Sequence, residues 1–363
     1  MKDILLINNK PETTGIGRYS FSLYENLKKL DKRNFDFLTL GSFSKDNDSI
    51  IKAFLQNMKK LVNHADFLSK IPPSYKVYHL LNPNLGMLLP YLHPSVVTVH
   101  DISILNPKVS IDILARSYGL ELPMLLGMQF NMHFINSADR ILCLSNYTRN
   151  DLISILGIKK ERIAVIYPGI NSDLFKPRDK LTARKRLGLP INKPIMLHIG
   201  TDEPRKNSKT LIEALYLVKK KIPNVILIKI GDMREATRRL ILTKELNDSV
   251  LHYKKVRDVS SFYNAADLFV FPSYYEGFGY PAAEAMASGC PIIAANGSSL
   301  TEVVGAGGIL FPPFSILSLN EAITEVLLDL KKQTIMIEKG LEQVKKFDWK
   351  KCAETTLEIY ETL

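Results

Sequence analysis

Residues 271–304 read FPSYYEGFGYPAAEAMASGCPIIAANGSSLTEVV. An apolar run, DLFVF, leads into this stretch, and a second, PIIAA, lies within it. Between them come a glycine-bearing loop and an alanine-rich helical segment. Pro281 suits the first position of that helix, and Gly289 suits its end. Strand, loop, helix and strand in succession form the repeating unit of a parallel sheet covered by helices. Two carboxylates, Glu276 and Glu284, mark the ends of the loop-to-helix passage.

On this reading Glu276 lies in the loop after a strand and Glu284 in the first turn of the next helix. The main-chain amides of Phe278, Gly279 and Tyr280 then point out of a helix N-terminus, where the helix dipole favours an anion. Gly277 and Gly279 let a ligand approach the main chain closely. An anion site beside carboxylates fits a ligand with both phosphates and vicinal hydroxyls, since a carboxylate accepts two hydrogen bonds from such a pair. The alternative is a helix acid that complements its dipole and a solvated loop acid. Spacing alone does not separate the two.

The same alternation runs along the whole chain. DILLIN, FDFLTL, VYHLL, SVVTVHD, RILCLS and RIAVIYPG read as strands in the first half, and PIMLHIG, NVILIKIG, DLFVFPS, PIIAA and GILFPP in the second. Helical stretches lie between them, so the fold class is α/β with parallel sheets. The pattern occurs twice, with a Pro-, Lys- and Arg-rich passage near 171–180 as the hinge. In such sheets ligands bind outside the carboxyl ends of the strands.

The chain has 363 residues, 46% of them apolar, enough for two domains with their own cores. No run of about 18 uncharged apolar residues appears, so no membrane span is expected. The opening MKDILLINNK enters a strand directly, so no cleaved signal peptide is expected either. Three cysteines without metal spacing fit a reducing, cytoplasmic compartment. The net charge of +11 is spread over both halves. It suits an anionic small molecule, a membrane surface or a nucleic acid. Zinc-finger spacing, an RNP-like strand and a long arginine tract are all missing from the sequence, so no nucleic-acid partner is expected.

Three further segments follow strands. In HIGTDEPRKNSKTLIEAL (198–215) a strand ends at Gly200, Asn207 or Ser208 can cap the next helix, and Arg205 and Lys206 stand just before it. Two cations beside a helix N-terminus suit a diphosphate, or else form a solvated turn. In KPETTGIGRYSFSL (10–23) Gly15 and Gly17 separate the first strand from the first helix, without a dinucleotide fingerprint. In VTVHDISIL (97–105) His100 ends a strand; it can bond a substrate hydroxyl, move a proton or be structural. The Asp46-Asn47-Asp48 triplet sits in a polar loop and reads as a solvated turn, so no metal is expected. A departing diphosphate would then be neutralised by Arg, Lys and backbone amides.

EGFGYPAAE, together with GTDEPRKN, VHD, SNYTRNDL and the tail FDWKKCAETTLEIYETL, resembles glycosyltransferase family 4, the retaining enzymes of the GT-B fold. The matches run in the family's order across almost the whole chain. The resemblance implies two Rossmann-like domains facing a deep cleft: an acceptor domain at 1–173, a donor domain at 174–345, and a terminal helix at 346–363 packed on the first. It implies transfer of a hexose of mannose or glucose type from a GDP- or UDP-linked donor, with no cofactor. Glu284 would bind the ribose, and Glu276 would lie by the sugar and assist the transfer. The amides near Phe278 and Gly279 would hold sugar or phosphate, with Gly200, Arg205 and Lys206 at the diphosphate. His100 would touch the donor sugar. Gly15 and Gly17 would line the phosphate and acceptor side, and Arg149 matches a polar family position. The base-binding turn would be HYKKVRD, with Lys254 and Val256; Lys254 replaces a usual glycine, and Thr201 stands where many members carry arginine.

The acceptor is left as a glycan or a polyprenyl-linked sugar. The methionine-rich stretch 114–136 suits a core helix pair or a groove for a lipid-linked acceptor. The stretch 51–71, with its mix of lysine and apolar residues, suits an ordinary amphipathic helix or a peripheral contact with the inner membrane face. Rival readings are a nucleotide-sugar 2-epimerase and a non-catalytic binder of nucleotide sugars or RNA.

Overall fold

Two six-stranded parallel sheets form in the computed structural model, which describes residues 3–31, 35–40, 64–106 and 122–363. The chain divides into two compact units, Met1–Gly169 with Asp348–Leu363, and Ile170–Phe347. Each is Rossmann-like. The Asp46–Asp48 triplet and residues 51–63 and 107–121 lie outside the described residues, and with them most of the 51–71 stretch and the start of 114–136.

In the first unit the strands are β1 (Ile4–Asn8), β2 (Phe35–Thr39), β3 (Val77–Leu80), β4 (Ser95–Val99), β5 (Arg140–Cys143) and β6 (Ile163–Val165). Their order is β2-β1-β3-β4-β5-β6. Every residue of β1, β3 and β4 is buried, as expected for central strands covered on both faces. The helix Gly15–Leu30 follows β1, with Thr14 accepting from the Gly17 amide as its cap. The terminal helix Trp349–Glu361 packs on it and returns the chain to this unit. Its Trp349 ring lies 5.9 Å from Tyr19, and its Tyr360 hydroxyl pairs with buried His79 Nδ1 at 2.5 Å.

In the second unit the strands are β7 (Ile195–Ile199), β8 (Ile226–Ile230), β9 (Val250–Tyr253), β10 (Leu268–Phe271), β11 (Ile292–Ala295) and β12 (Ile309–Phe311). Their order is β12-β11-β10-β7-β8-β9. The direction of winding therefore reverses between β7 and β10. β9 is the strand that hydrophobic patterning does not announce: it is an edge strand, half-buried throughout, and carries His252 and Tyr253. Its core partners come from neighbouring elements, so no apolar run of its own is required.

The helix Tyr280–Ala287 starts one residue before Pro281 and ends at Ser288, followed by Gly289 at φ +70°. Glu284 therefore sits one residue deeper than read from the sequence, just past the first turn. Asn207 is also not a side-chain cap: it adopts φ +56°, and its amide donates to the Pro272 and Pro313 carbonyls instead. All three cysteines are buried, and among the described residues no helix is long and apolar enough to cross a membrane.

β7 and β8 end against each other. The Gly200 amide donates to the Ile230 carbonyl, and Gly231 sits at φ +111° with the Gly200 carbonyl only 2.2 Å from where its Cβ would be. Gly231→Ala meets both a left-handed backbone and a main-chain overlap. It should destabilise the protein by about 2 kcal/mol or more, read as a lowered urea midpoint; an unchanged midpoint would contradict this packing.

Candidate active site

A winding reversal leaves a crevice at the carboxyl ends of the two strands that flank it, because the connections leave in opposite directions. In the second unit those strands are β7 and β10. The segment after β7 carries Gly200, Arg205 and Lys206, and the segment after β10 carries Glu276 to Tyr280. The main chains are stitched together where the Tyr274 amide donates to the Arg205 carbonyl at 3.0 Å.

Glu276 is the centre of this arrangement. It is 8% exposed, and its Oε1 accepts from Lys206 Nζ at 2.6 Å while its Oε2 accepts from Arg205 Nη1 at 3.2 Å. Arg205 Nε donates in turn to Glu203 Oε2 at 2.9 Å, and Thr201 donates to the other Glu203 oxygen. Burial works to raise the Glu276 carboxyl, but Lys206 and Arg205 outweigh it and hold the group below the usual carboxylate range. Burial pulls the Lys206 ammonium down, and Glu276 only partly offsets this. A second anion arriving here would relieve that deficit.

The loop that holds Glu276 is fixed by two serines. Ser298 Oγ accepts from the Glu276 amide, and Ser299 Oγ donates to the carbonyls of Glu276 and Phe278, all at 2.9 Å. Phe278 is buried and packs edge-on against Tyr280 and Phe347. Gly279 stands at φ +96°, and a Cβ there would come within 2.6 Å of Leu300. Glu284 is buried and accepts from the Tyr263 hydroxyl at 3.0 Å.

Helix starts in this unit divide into two kinds. Asp179, Asp258, Ser315 and Asp329 each cap a helix through the side chain. The helices after β7 and β10, Ser208–Lys221 and Tyr280–Ala287, begin without a side-chain cap, as does Glu235–Thr243 after β8. Each of these helix starts lies at the carboxyl end of a strand, where the helix dipole suits a ligand anion.

Patterning in the sequence does not single out Lys229 and His198. Both sit mid-strand among apolar neighbours and read there as strand residues. Lys229, on β8, is 2% exposed and donates to the carbonyls of Gly200, Ile230 and Asp232. Burial lowers it to about 8, with Asp202 and Asp232 opposing and Lys206 adding repulsion. His198 uses Nδ1 on the Val270 carbonyl, and its buried Nε2 has no hydrogen-bond partner among the described residues. Burial keeps its ring neutral. Asp202 accepts from the Arg234 amide at 2.8 Å and so ties the segment after β7 to the one after β8.

The remaining sequence candidates fall on other elements. Lys254 is at the surface, its side chain 83% exposed and 4.0 Å from Asp232, and Val256 is half-buried beside it after β9. His100, Gly15, Gly17 and Arg149 belong to the first unit. His100 Nε2 donates to the Leu81 carbonyl at 2.9 Å, and its ring stands edge-on to Tyr19. Burial lowers it to about 4, so it is neutral at pH 7 and suits accepting a hydrogen bond better than storing a proton. Gly15 has open space around it. Gly17 is required by packing: a Cβ there would overlap the Pro11 carbonyl. Among the described residues no group of three His, Cys, Asp or Glu could hold a metal ion.

Residues 179–343 match the family profile described as Glycosyl transferases group 1, and residues 52–174 match Glycosyltransferase Family 4. The O-antigen chain mannosyltransferase B of Escherichia coli is 30% identical, with 96% of each chain covered. A D-inositol 3-phosphate glycosyltransferase of Kribbella flavida is 28% identical over 80% of this chain and 72% of its own. Among solved structures, sucrose-phosphate synthase from Thermosynechococcus elongatus superposes with a TM-score of 0.78 at 23% identity, covering 100% of this chain and 99% of that one. Anabaena HepE in complex with UDP and glucose gives 0.75 at 18%, with both chains covered in full.

Lys229 supplies a pH test of the buried charge cluster. Its folded pKa lies below the unfolded value, so the unfolded chain binds the proton more tightly. The resulting penalty is fully present below about pH 8 and fades as pH rises toward 10.5. Replacing Lys229 by Met should remove a stability gain on the order of 2–3 kcal/mol between about pH 7.5 and 10. Urea melts at the two pH values measure it; identical pH slopes in both proteins would refute the burial of a titrating lysine.

Proposed function

The chain belongs to the group 1, family 4 glycosyltransferases, and from that premise we propose that it transfers a hexose of mannose or glucose type from a GDP- or UDP-linked donor. The acceptor is a hydroxyl of a glycan or polyprenyl-linked sugar, and the anomeric configuration is retained. The observation that carries this reading is buried Glu276 paired with buried Lys206 and half-buried Arg205 at the β7/β10 reversal, whose two following helices start without side-chain caps. The Escherichia coli relative is a mannosyltransferase, and the HepE structure holds UDP and glucose, both in keeping with a hexosyl donor.

In this reading the diphosphate lies against Arg205, Lys206 and the first amides of the helices Ser208–Lys221 and Tyr280–Ala287. These charges and dipoles are in place before reaction, so negative charge developing on the leaving phosphate is met without reorganisation. They also supply the neutralisation that a metal ion provides in other transferases. Glu284 accepts from the ribose hydroxyls, in exchange for or alongside Tyr263. Glu276 is held ionised by two cations, which makes it a poor base and a poor nucleophile. It acts as a fixed negative charge beside the sugar, stabilising positive charge at the anomeric carbon and accepting from sugar hydroxyls. With no carboxylate assigned to the opposite face, the leaving phosphate takes the acceptor proton on the face that it departs from. His100, neutral, accepts a hydrogen bond from the donor sugar. Lys254 and Val256 border the base.

A thermal-shift screen of UDP, GDP and their hexose conjugates should raise the melting temperature for one base, since ligand that binds only the folded chain stabilises it. Arg205→Ala combined with Lys206→Ala should abolish that shift and cut kcat/KM by about a hundredfold or more. Unchanged kinetics in the double variant would remove the diphosphate from this position. NMR of the product should give the donor's anomeric configuration; an inverted product would overturn the same-face mechanism.

A further inference from the structure

His100 follows β4, and its Nε2–H donates to the Leu81 carbonyl at 2.9 Å. That bond fixes the tautomer, since a neutral ring that donates from Nε2 presents Nδ1 as its acceptor. It does not fix the ring plane. Nε2 lies near the line through Cβ and Cγ, so the ring can turn about χ2 with little movement of the bonded atom, and this torsion has no sharp staggered wells of its own. Turning it carries Nδ1 out of line with a ligand hydroxyl. The neighbouring Asp101 is engaged elsewhere: its carboxylate accepts from the Ser103 amide and hydroxyl at 3.0 and 2.7 Å. It acts on His100 through charge, which sets no ring angle.

The ring plane is set by a wall, and Tyr19 forms it. From the helix Gly15–Leu30, the Tyr19 ring meets the His100 ring at 5.0 Å between centroids and 88° between planes. Tyr19 is itself enclosed, with 0% exposure. Its hydroxyl lies 3.4 Å from Thr98 Oγ1, and the Trp349 ring stands 5.9 Å away on its other side chain neighbours. Thr98 Oγ1 shares a hydrogen bond of 2.8 Å with His79 Nε2, and His79 Nδ1 shares one of 2.5 Å with the Tyr360 hydroxyl. Thr98, His79 and Tyr360 are buried too. Trp349 is pressed onto the main chain of Gly169, where a Cβ would overlap its ring. Both ends of the terminal helix, Trp349 and Tyr360, therefore bear on the residues around Tyr19. A buried network of this kind holds one arrangement, because its members lose their partners in any other.

Resting on the proposed hexosyl transfer and its contact between His100 and the donor sugar, we infer that Tyr19 is a positioning residue for the reaction: it sets the plane of the His100 ring, and the terminal helix holds Tyr19 in place. Tyr19 touches no substrate atom. Its effect falls on the sugar and not on the nucleotide, whose proposed contacts all belong to the second unit. The terminal helix thereby takes part in sugar recognition as well as in the core of the first unit.

The test is a double-variant cycle in the full chain, read as calorimetric affinity for GDP-mannose and UDP-glucose, with GDP and UDP as sugar-free controls. His100→Ala should weaken binding of the preferred nucleotide sugar about fivefold to tenfold, as expected for one lost hydrogen bond, and leave the free nucleotide unchanged. Tyr19→Leu should weaken the same ligand about threefold or more, and add nothing in the His100→Ala background. Tyr19→Phe keeps the wall and should keep most of the affinity. Trp349→Leu should reproduce part of the Tyr19→Leu loss, again only with His100 in place, and it carries the cycle if Tyr19→Leu does not fold. NMR of the chain with labelled histidine gives a readout independent of binding: the His100 ring signal, assigned by its loss in His100→Ala, should move in Tyr19→Leu and stay in Tyr19→Phe. A Tyr19→Leu loss that persists without His100, or that extends equally to GDP and UDP, overturns the inference. Unaltered donor binding in His100→Ala overturns the sugar contact and the positioning role together. Binding of neither nucleotide sugar removes the hexosyl reading, and the NMR signal then still decides whether Tyr19 holds the ring: an unmoved signal in Tyr19→Leu overturns that hold.

Discussion

A buried carboxylate between two cations governs the second unit. Taking Glu276 out of water costs several kcal/mol, and only the paired contacts to Lys206 and Arg205 make its burial tolerable. Because those partners come from the segment after β7 and Glu276 from the segment after β10, the ion pairs join the two strand ends that flank the winding reversal. The serine contacts, the αL glycine at 279 and the Tyr274–Arg205 main-chain bond all serve to hold that alignment. Removing one charge would leave the others buried without compensation, so the cluster stands or falls as a unit.

Parallel topology explains why chemistry collects there. In both sheets the central strands are buried on both faces and have no room for exposed polar groups. The polar residues that the chain does carry are pushed to the strand ends, and the carboxyl ends receive the helix starts. Lys229 illustrates the cost. It lies within the β8 core, and its ammonium reaches the edge only by satisfying three carbonyls there. In doing so it fixes the Gly200 turn from which Arg205 and Lys206 project.

The two units solve the same geometric problem with different groups. The second sheet fills its reversal with opposed full charges, which suits a ligand of high charge density. The first places asparagines there that bond one another and their own turns, beside a histidine that burial keeps neutral. Burial keeps His100 neutral, which suits hydrogen bonding more than proton transfer.

Much was legible from residue order alone. Apolar runs alternating with amphipathic stretches define a parallel α/β chain built twice, since burial on both faces demands continuous apolar strands. Glycine and proline at fixed offsets mark the strand-loop-helix passage at 276–284, because few other residues tolerate those backbone angles or lack the amide. The same stretch, together with GTDEPRKN, VHD, SNYTRNDL and the tail, carried the resemblance to the family. The position of Glu284 just past the first helical turn, the edge strand Val250–Tyr253, the burial of Lys229 and the partners of Glu276 were settled only by the fold. Each depends on residues far apart in sequence: strand order decides which loops meet, and desolvation decides which charges must pair. Local propensity carries no record of either.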